Sequence, residues 1–135
     1  MKKLFFLAII MVSIAACSAK LSADRGWANQ RWVLVEMKGV PVQQSGGRND
    51  AFIRFEPLDK TFNGNAGCNQ MSGKYILDGK ELEFRDVITT KMACTDIDFE
   101  TTFLSVLGSI EKYEMNGTDI RLKRNRETLL VFRPR

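Results

Sequence analysis

The chain has 135 residues, enough for one domain with a sizeable core, and its 44% hydrophobic and 27% charged content excludes a disordered or fibrous protein. The net charge of +4 gives little support to nucleic-acid binding, because Lys2 and Lys3 lie in a leading segment whose removal halves it. There is no histidine, so the usual activating base for a catalytic thiol or hydroxyl is missing.

Lys2 and Lys3 precede an uncharged apolar run, Leu4 to Ala16, broken only by Ser13. About a dozen such residues fall short of the roughly 20 that cross a bilayer. A short positive start, an apolar stretch and small residues at its end read as a secretory signal over residues 1–16. Ile14, Ala15, Ala16 and Cys17 resemble the bacterial lipobox. That resemblance implies cleavage before Cys17, a diacylglycerol thioether on its sulfur and an acyl chain such as palmitate on its amine. Several acyl chains, at about 0.8 kcal/mol per buried CH₂, make a stable membrane anchor. The alternative is an ordinary signal with a chance cysteine beyond it. Ser18 in place of Asp, by resemblance to enterobacterial sorting rules, implies the periplasmic face of the outer membrane. Residues 17–26 are short, small and polar, and read as a lipidated tether ahead of a domain over 27–135.

From Trp27 onward the hydrophobic period is mainly two. "RWVLVEMKG" places Val33, Val35 and Met37 on one face and Trp32, Leu34 and Glu36 on the other, a strand partly covered on both sides. A loop rich in turn formers, "VPVQQSGGRND", leads to "AFIRFEP", where Phe52 and Arg54 alternate with Ile53 and Phe55 before Pro57. Residues 63–73, "NGNAGCNQMSG", are small and polar with little to bury, and are expected to form a turn or loop. "GKYILDGKELEF" predicts a hairpin turning at Asp78-Gly79, with Tyr75 and Leu77 on one side and Leu82 and Phe84 resuming the alternation. "VITTKMAC" predicts a further strand or an irregular segment held by its cysteine.

One helix stands out in "TDIDFETTFLSVLGSIEKY", where Phe99, Phe103, Val106, Leu107 and Ile110 recur at helical spacing. Thr95 and Asp98 resemble a capping box; Asp96, Asp98 and Glu100 suit the positive end of the helix dipole better than they suit a calcium loop. The helix is expected to stop near Gly108 and Ser109. Two closing strands turn at Asn116-Gly117 and in "KRNRETLL". The total is seven or eight mostly antiparallel strands and one helix, an α+β layout in which the helix closes a curved sheet and supplies most of its core.

With Cys17 assigned to lipid, Cys68 and Cys94 remain. In an exported domain an even remainder is expected to pair as a disulfide, with free buried thiols as the alternative and thiol chemistry the least expected. Zinc wants three or four suitably spaced ligands, so no metal is expected; no cofactor is expected either. Asn63, Asn65, Asn69 and Gln70 around Cys68 are read as satisfying loop backbone groups, with a polar binding lip as the competing view.

These residues together resemble the META domain family, the HslJ-like heat-shock proteins. The resemblance rests on "WVL" at Trp32 to Leu34, "GNAGCN" at Gly64 to Asn69, and Gly73 with Tyr75. It continues through Thr90, Met92, Ala93 and Cys94, Glu100 in the helix, and the closing "IRL" and "LVF". It covers nearly all of residues 27–135; "KRNRETLL" departs from it, because many relatives have a glycine in that turn. The resemblance implies a curved antiparallel sheet on one α-helix, often compared with secretin pilotins, and envelope-stress links for some members. It supplies no catalytic residue. The expectation is a non-enzymatic envelope lipoprotein acting through protein contacts. The alternative is a pilotin-like carrier or chaperone sheltering an apolar segment or lipid between sheet and helix.

Overall fold

A computed structural model describes residues 23–47 and 49–135. The signal segment, Cys17 and the tether up to residue 22 lie outside the described residues. A 3₁₀ helix over Ala23–Trp27 comes first. Nine strands follow: β1 Trp32–Met37, β2 Val40–Pro41, β3 Phe52–Glu56, β4 Thr61–Asn65, β5 Gln70–Asp78, β6 Glu81–Thr89, β7 Lys112–Asn116, β8 Asp119–Arg124 and β9 Glu127–Pro134. One α-helix, α1 Ile97–Leu107, connects β6 to β7. Each strand pairs antiparallel with its neighbours in the order β2-β1-β3-β4-β5-β6-β7-β8-β9, and β1 also pairs with β9.

That last pairing changes the expected architecture. Trp32 faces Pro134, Leu34 faces Phe132 and Met37 faces Leu130, so the sheet closes on itself. Strands therefore pack against strands across the interior, and α1 contributes the buried Phe103, Val106 and Leu107, with Phe99 and Leu104 packed beside them, to a core built mainly from the sheet and its loops. The helix does not supply most of the core, as the amphipathic pattern led one to expect. It sits in the connection across the thinnest seam, where β6 and β7 share the single register pair Glu81 and Lys112. Closure also means that β8 and β9, with Lys123 and Arg133, are not edge strands. Lys123 pairs with Glu114 and Arg133 with Asp119, each at 2.8 Å.

Two strands were illegible as strands. β2 is two residues long, and β4 with the start of β5 runs through the stretch expected to be a loop. Only residues 66–69 turn there. Gly64 is glycine because a Cβ at that position would stand 2.0 Å from the Phe52 carbonyl oxygen on the neighbouring strand, an impossible contact. In the other direction, "VIT" continues β6 to Thr89 rather than forming a strand of its own. A register shift on β1 between Leu34 and Glu36 turns Met37, rather than Glu36, toward the core.

The interior is aromatic. Trp27 touches Phe55 of β3 at 4.9 Å between ring centroids and Tyr113 of β7 at 4.8 Å, spanning the core from one side to the other. Residues 23–26 thus belong to the folded body with Trp27, although their polarity reads as tether. Asp24 is fully buried and accepts from the Tyr75 hydroxyl at 2.6 Å and the Lys60 ammonium at 2.5 Å. Burial, and then the hydrogen bond to Asp24, push the Tyr75 phenol well above its ordinary range, so it stays protonated as the donor.

The hairpins turn one residue later than their sequence signals. Asp78 pairs with Glu81 and Asn116 with Asp119, leaving Gly79-Lys80 and Gly117-Thr118 as the two-residue loops. The positive φ falls on the first loop residue alone, as a type II′ turn requires. Between β8 and β9 the same position is Asn125, at φ 55°. Asn125→Gly is expected to raise stability by roughly 0.5 kcal/mol, since asparagine tolerates this conformation at some cost. The backbone N–H of residue 125, which donates to Glu111 at 2.8 Å, would be retained. A melting midpoint about 2–3 °C higher checks it.

Candidate functional site

The turn between β4 and β5 brings Cys68 beside the segment that follows β6. Cys68 and Cys94 form a disulfide with Cα atoms 6.1 Å apart and a sequence separation of 26. The β5–β6 hairpin lies wholly inside the loop so closed, and the bridge ties its open end to the start of α1. The helix begins one residue later than the capping-box pattern placed it. Asp96 is the N-cap, and its Oδ1 accepts from the Phe99 N–H at 3.2 Å.

Beneath the bridge is Asn69, buried and fully bonded. Its N–H donates to Glu100 Oε2 at 2.7 Å and its Nδ2 to Glu100 Oε1 at 2.8 Å. Its Oδ1 accepts from the Met92 N–H at 2.7 Å and the Thr90 hydroxyl at 2.9 Å. Its carbonyl accepts from the Ala66 N–H at 2.8 Å. One residue, through its side chain and its backbone, thereby fastens the β4–β5 turn, the segment before α1 and the helix itself. Asn65 does the local work expected of it, accepting from the Gly67 N–H and donating to the Cys68 carbonyl. Asn63 and Gln70 are instead exposed strand residues.

Glu100, grouped with Asp96 and Asp98 for the helix dipole, differs from them in burial: it is 4% exposed and shares its face of α1 with Phe103 and Leu107. The signal was present: Glu100, Phe103 and Leu107 recur at spacings of three and four. Glu100 and the two sulfurs place one possible ligand atom each within 4.8 Å of one another. Bonded sulfurs offer no thiolate, and both carboxylate oxygens already accept from Asn69, so the trio in this state is a structural clasp.

Against the clasp lies an open groove of about 690 Å³. Its floor is apolar, with Met37, Val42, Ala51, Phe99 and the disulfide, and Val40 and Met92 stand on its rim at 65% and 63% exposure. The far wall is the loop after β2, shaped by Asp50. That carboxylate accepts from the Ser45 N–H at 2.7 Å, the Ser45 hydroxyl at 2.8 Å and the Gly46 N–H at 2.9 Å. Burial alone would push Asp50 up, but these donors and the nearby Arg31 hold it below the ordinary carboxylate range. A carboxyl depressed on folding stabilises above its unfolded pKa, and that stability is lost as pH falls through the folded value. Asp50→Asn is therefore expected to cost about 1–2 kcal/mol at pH 7 and progressively less below about pH 4. Paired urea titrations at pH 7 and pH 3 check this.

Deeper between sheet and helix, Phe103 and Leu107 are fully buried, with Phe103 against Phe132 at 6.3 Å between ring centroids. Among the described residues no helix is long and apolar enough to cross a membrane.

The sequence model of the META domain matches residues 25–135. Among solved structures, the chain is similar to a protein from Burkholderia xenovorans determined by NMR, at TM-score 0.65 and 21% identity over 84% of this chain and 86% of that one. A second NMR structure matches at TM-score 0.64 and 21% identity, covering 84% and 95%. A DUF4847 family protein from Bacteroides vulgatus matches at TM-score 0.56 and 17% identity, covering 81% and 94%. At these identities the likeness is one of fold. No curated protein matches the chain at a significant level.

Proposed function

This chain belongs to the META domain family, and on that footing we propose that it is a non-enzymatic, stress-linked lipoprotein of the bacterial envelope that acts by holding another protein. Cys17 carries the lipid, the outer membrane anchors the chain, and the domain faces the periplasm. The observation that carries the binding role is the groove beside the Cys68–Cys94 bridge, where Val40 and Met92 leave apolar surface in water at the rim of a concave site. A catalytic reading has little to work with: the chain has no histidine, Cys68 and Cys94 are bonded to each other, and the buried carboxylate of Glu100 is committed to Asn69.

The carrier reading, in its form with cargo between sheet and helix, is weakened by the filled core at Phe103 and Leu107. An apolar segment would instead have to lie in the external groove. A photo-crosslinking residue at Met92, in intact cells, is expected to capture a protein partner, whereas one at Leu58, which is 95% exposed outside the groove, is not. Equal capture at both positions, or none at Met92, rejects the groove as the contact. Separately, Cys17→Ala is expected to abolish diacylglycerol labelling and processing; normal maturation rejects the anchor alone.

A further inference from the structure

The outer face of β3 to β6 carries a second concavity, of about 770 Å³, that shares no lining residue with the groove. Its ring is Phe52. The Arg31 guanidinium lies 4.2 Å from the ring centroid on its own, with Nη2 donating to the Gly47 carbonyl at 3.2 Å. The Arg54 guanidinium stands 5.6 Å from the same centroid. Two cations are thus held around one aromatic ring, and neither forms an ion pair among the described residues. None of the described residues lining the concavity is Asp or Glu. The nearby Asp50 carboxylate is occupied by Ser45 and Gly46. Two guanidinium groups gathered on one concave face, with Asp50 the nearby counter-charge to Arg31 and no carboxylate in the lining itself, leave a net positive site that an oxyanion bound there relieves.

The remaining lining says what the anion is attached to. Arg54 faces Asn63 across the strands, and Asn63 faces Ser72. Phe52 faces Asn65, which faces Gln70. The side chains of Asn63, Gln70 and Ser72 have no hydrogen-bond partner among the described residues, and all three reach the same hollow. Beside them, Ile88, opposite Ser72, is 67% exposed. Neutral amides and a hydroxyl beside an apolar side chain match the hydroxyls and C–H face of a sugar ring, whereas a bare inorganic anion would leave them unused.

We propose that this face binds an acidic saccharide, its carboxylate or phosphate held by Arg31 and Arg54 and its ring hydroxyls by Asn63, Gln70 and Ser72. Arginine suits the anion because its planar fork meets two oxygens at once.

The test is titration of the purified chain with glucuronate, glucose 6-phosphate, glucose and inorganic phosphate, followed by amide NMR shifts. Saturable binding of at least one acidic sugar is expected, with shifts centred on Asn63 and Ser72, and with glucose and free phosphate each roughly ten-fold weaker or worse. Arg54→Gln, at an exposed position that folding tolerates, is expected to weaken the acidic sugar about ten-fold; Arg31→Gln serves as the second variant. Binding of glucose as tight as that of the acidic sugars, binding of phosphate alone as tight, no binding of either acidic sugar, or indifference to both arginine variants overturns the proposal. Because the groove is not involved, crosslinking at Met92 stands or falls separately.

Discussion

Replacing Cys68 and Cys94 together by serine is expected to lower the melting temperature of the domain by roughly 10–15 °C. The bridge closes a loop of 26 residues in sequence separation. Chain-entropy reasoning gives a loop of that length about 3 kcal/mol of stabilisation, through the unfolded state it restricts. For a domain near a hundred residues, each kcal/mol moves the midpoint by about 4–8 °C, and somewhat less as the chain lengthens. The native consequence is local. Without the bridge, the segment before α1 is held by the Thr90 N–H on the Gln70 carbonyl and by the Asn69 side chain. Hydrogen exchange at the Met92 amide should therefore accelerate more than at Ile53 in the core of β3. Calorimetry with and without reductant gives the size of the effect, and a shift under about 3 °C contradicts it. Equal acceleration at both amides would make the effect global and deny the bridge its role as a clasp.

Glu100→Ala is expected to cost about 3–4 kcal/mol, the largest loss from any single side chain of the clasp. Two buried donors, the Asn69 N–H and Nδ2, lose their acceptor at once. Each orphaned buried group costs about 1–3 kcal/mol, more where a charged partner is lost. Glu100→Gln keeps one acceptor and turns an amide toward the other donor, so roughly half the loss is expected. Asn69→Ala removes only the Nδ2 donor, so Glu100 Oε1 loses its partner while Oε2 keeps the backbone N–H, and the tie to Met92 and Thr90 is cut as well. The double variant should be far less destabilised than the sum of the singles, with a coupling of about 1–3 kcal/mol. Urea midpoints for the four proteins measure it. Simple additivity would mean that the two residues stabilise independently, against the geometry.

The two effects fall on different terms of the same object. The disulfide restricts the unfolded chain, whereas the Glu100–Asn69 pair satisfies groups that folding has already buried. The groove inherits its shape from both, since Phe99 and Met92 are each one step from a clasp residue. A partner seated on Met92 would therefore bind more weakly when the bridge is reduced.

Particular residues mark the limit of what could be read in advance. The alternation of Ile53 with Phe55, of Tyr75 with Leu77 and of Leu82 with Phe84 placed the inward faces correctly, because a pleated strand has a fixed period of two. The helical spacing of Phe103, Val106 and Leu107 located α1, and Gly108 its end. Gly64 misled, since a glycine admitting a neighbouring carbonyl resembles a glycine in a turn. Asp24 misled as well: its partners Lys60 and Tyr75 are 36 and 51 residues away, beyond any local pattern.

Periodicity, turn residues and cysteine count, all properties of short stretches, determined by sequence alone that this chain is α+β, mostly antiparallel, with one helix after the hairpin and a cysteine pair around it. Closure of β1 onto β9, the modest share of α1 in the core and the burial of Glu100 under the bridge were decided only in three dimensions. Each depends on which distant segments meet, and a pairing between the first strand and the last leaves no trace in the local pattern of either.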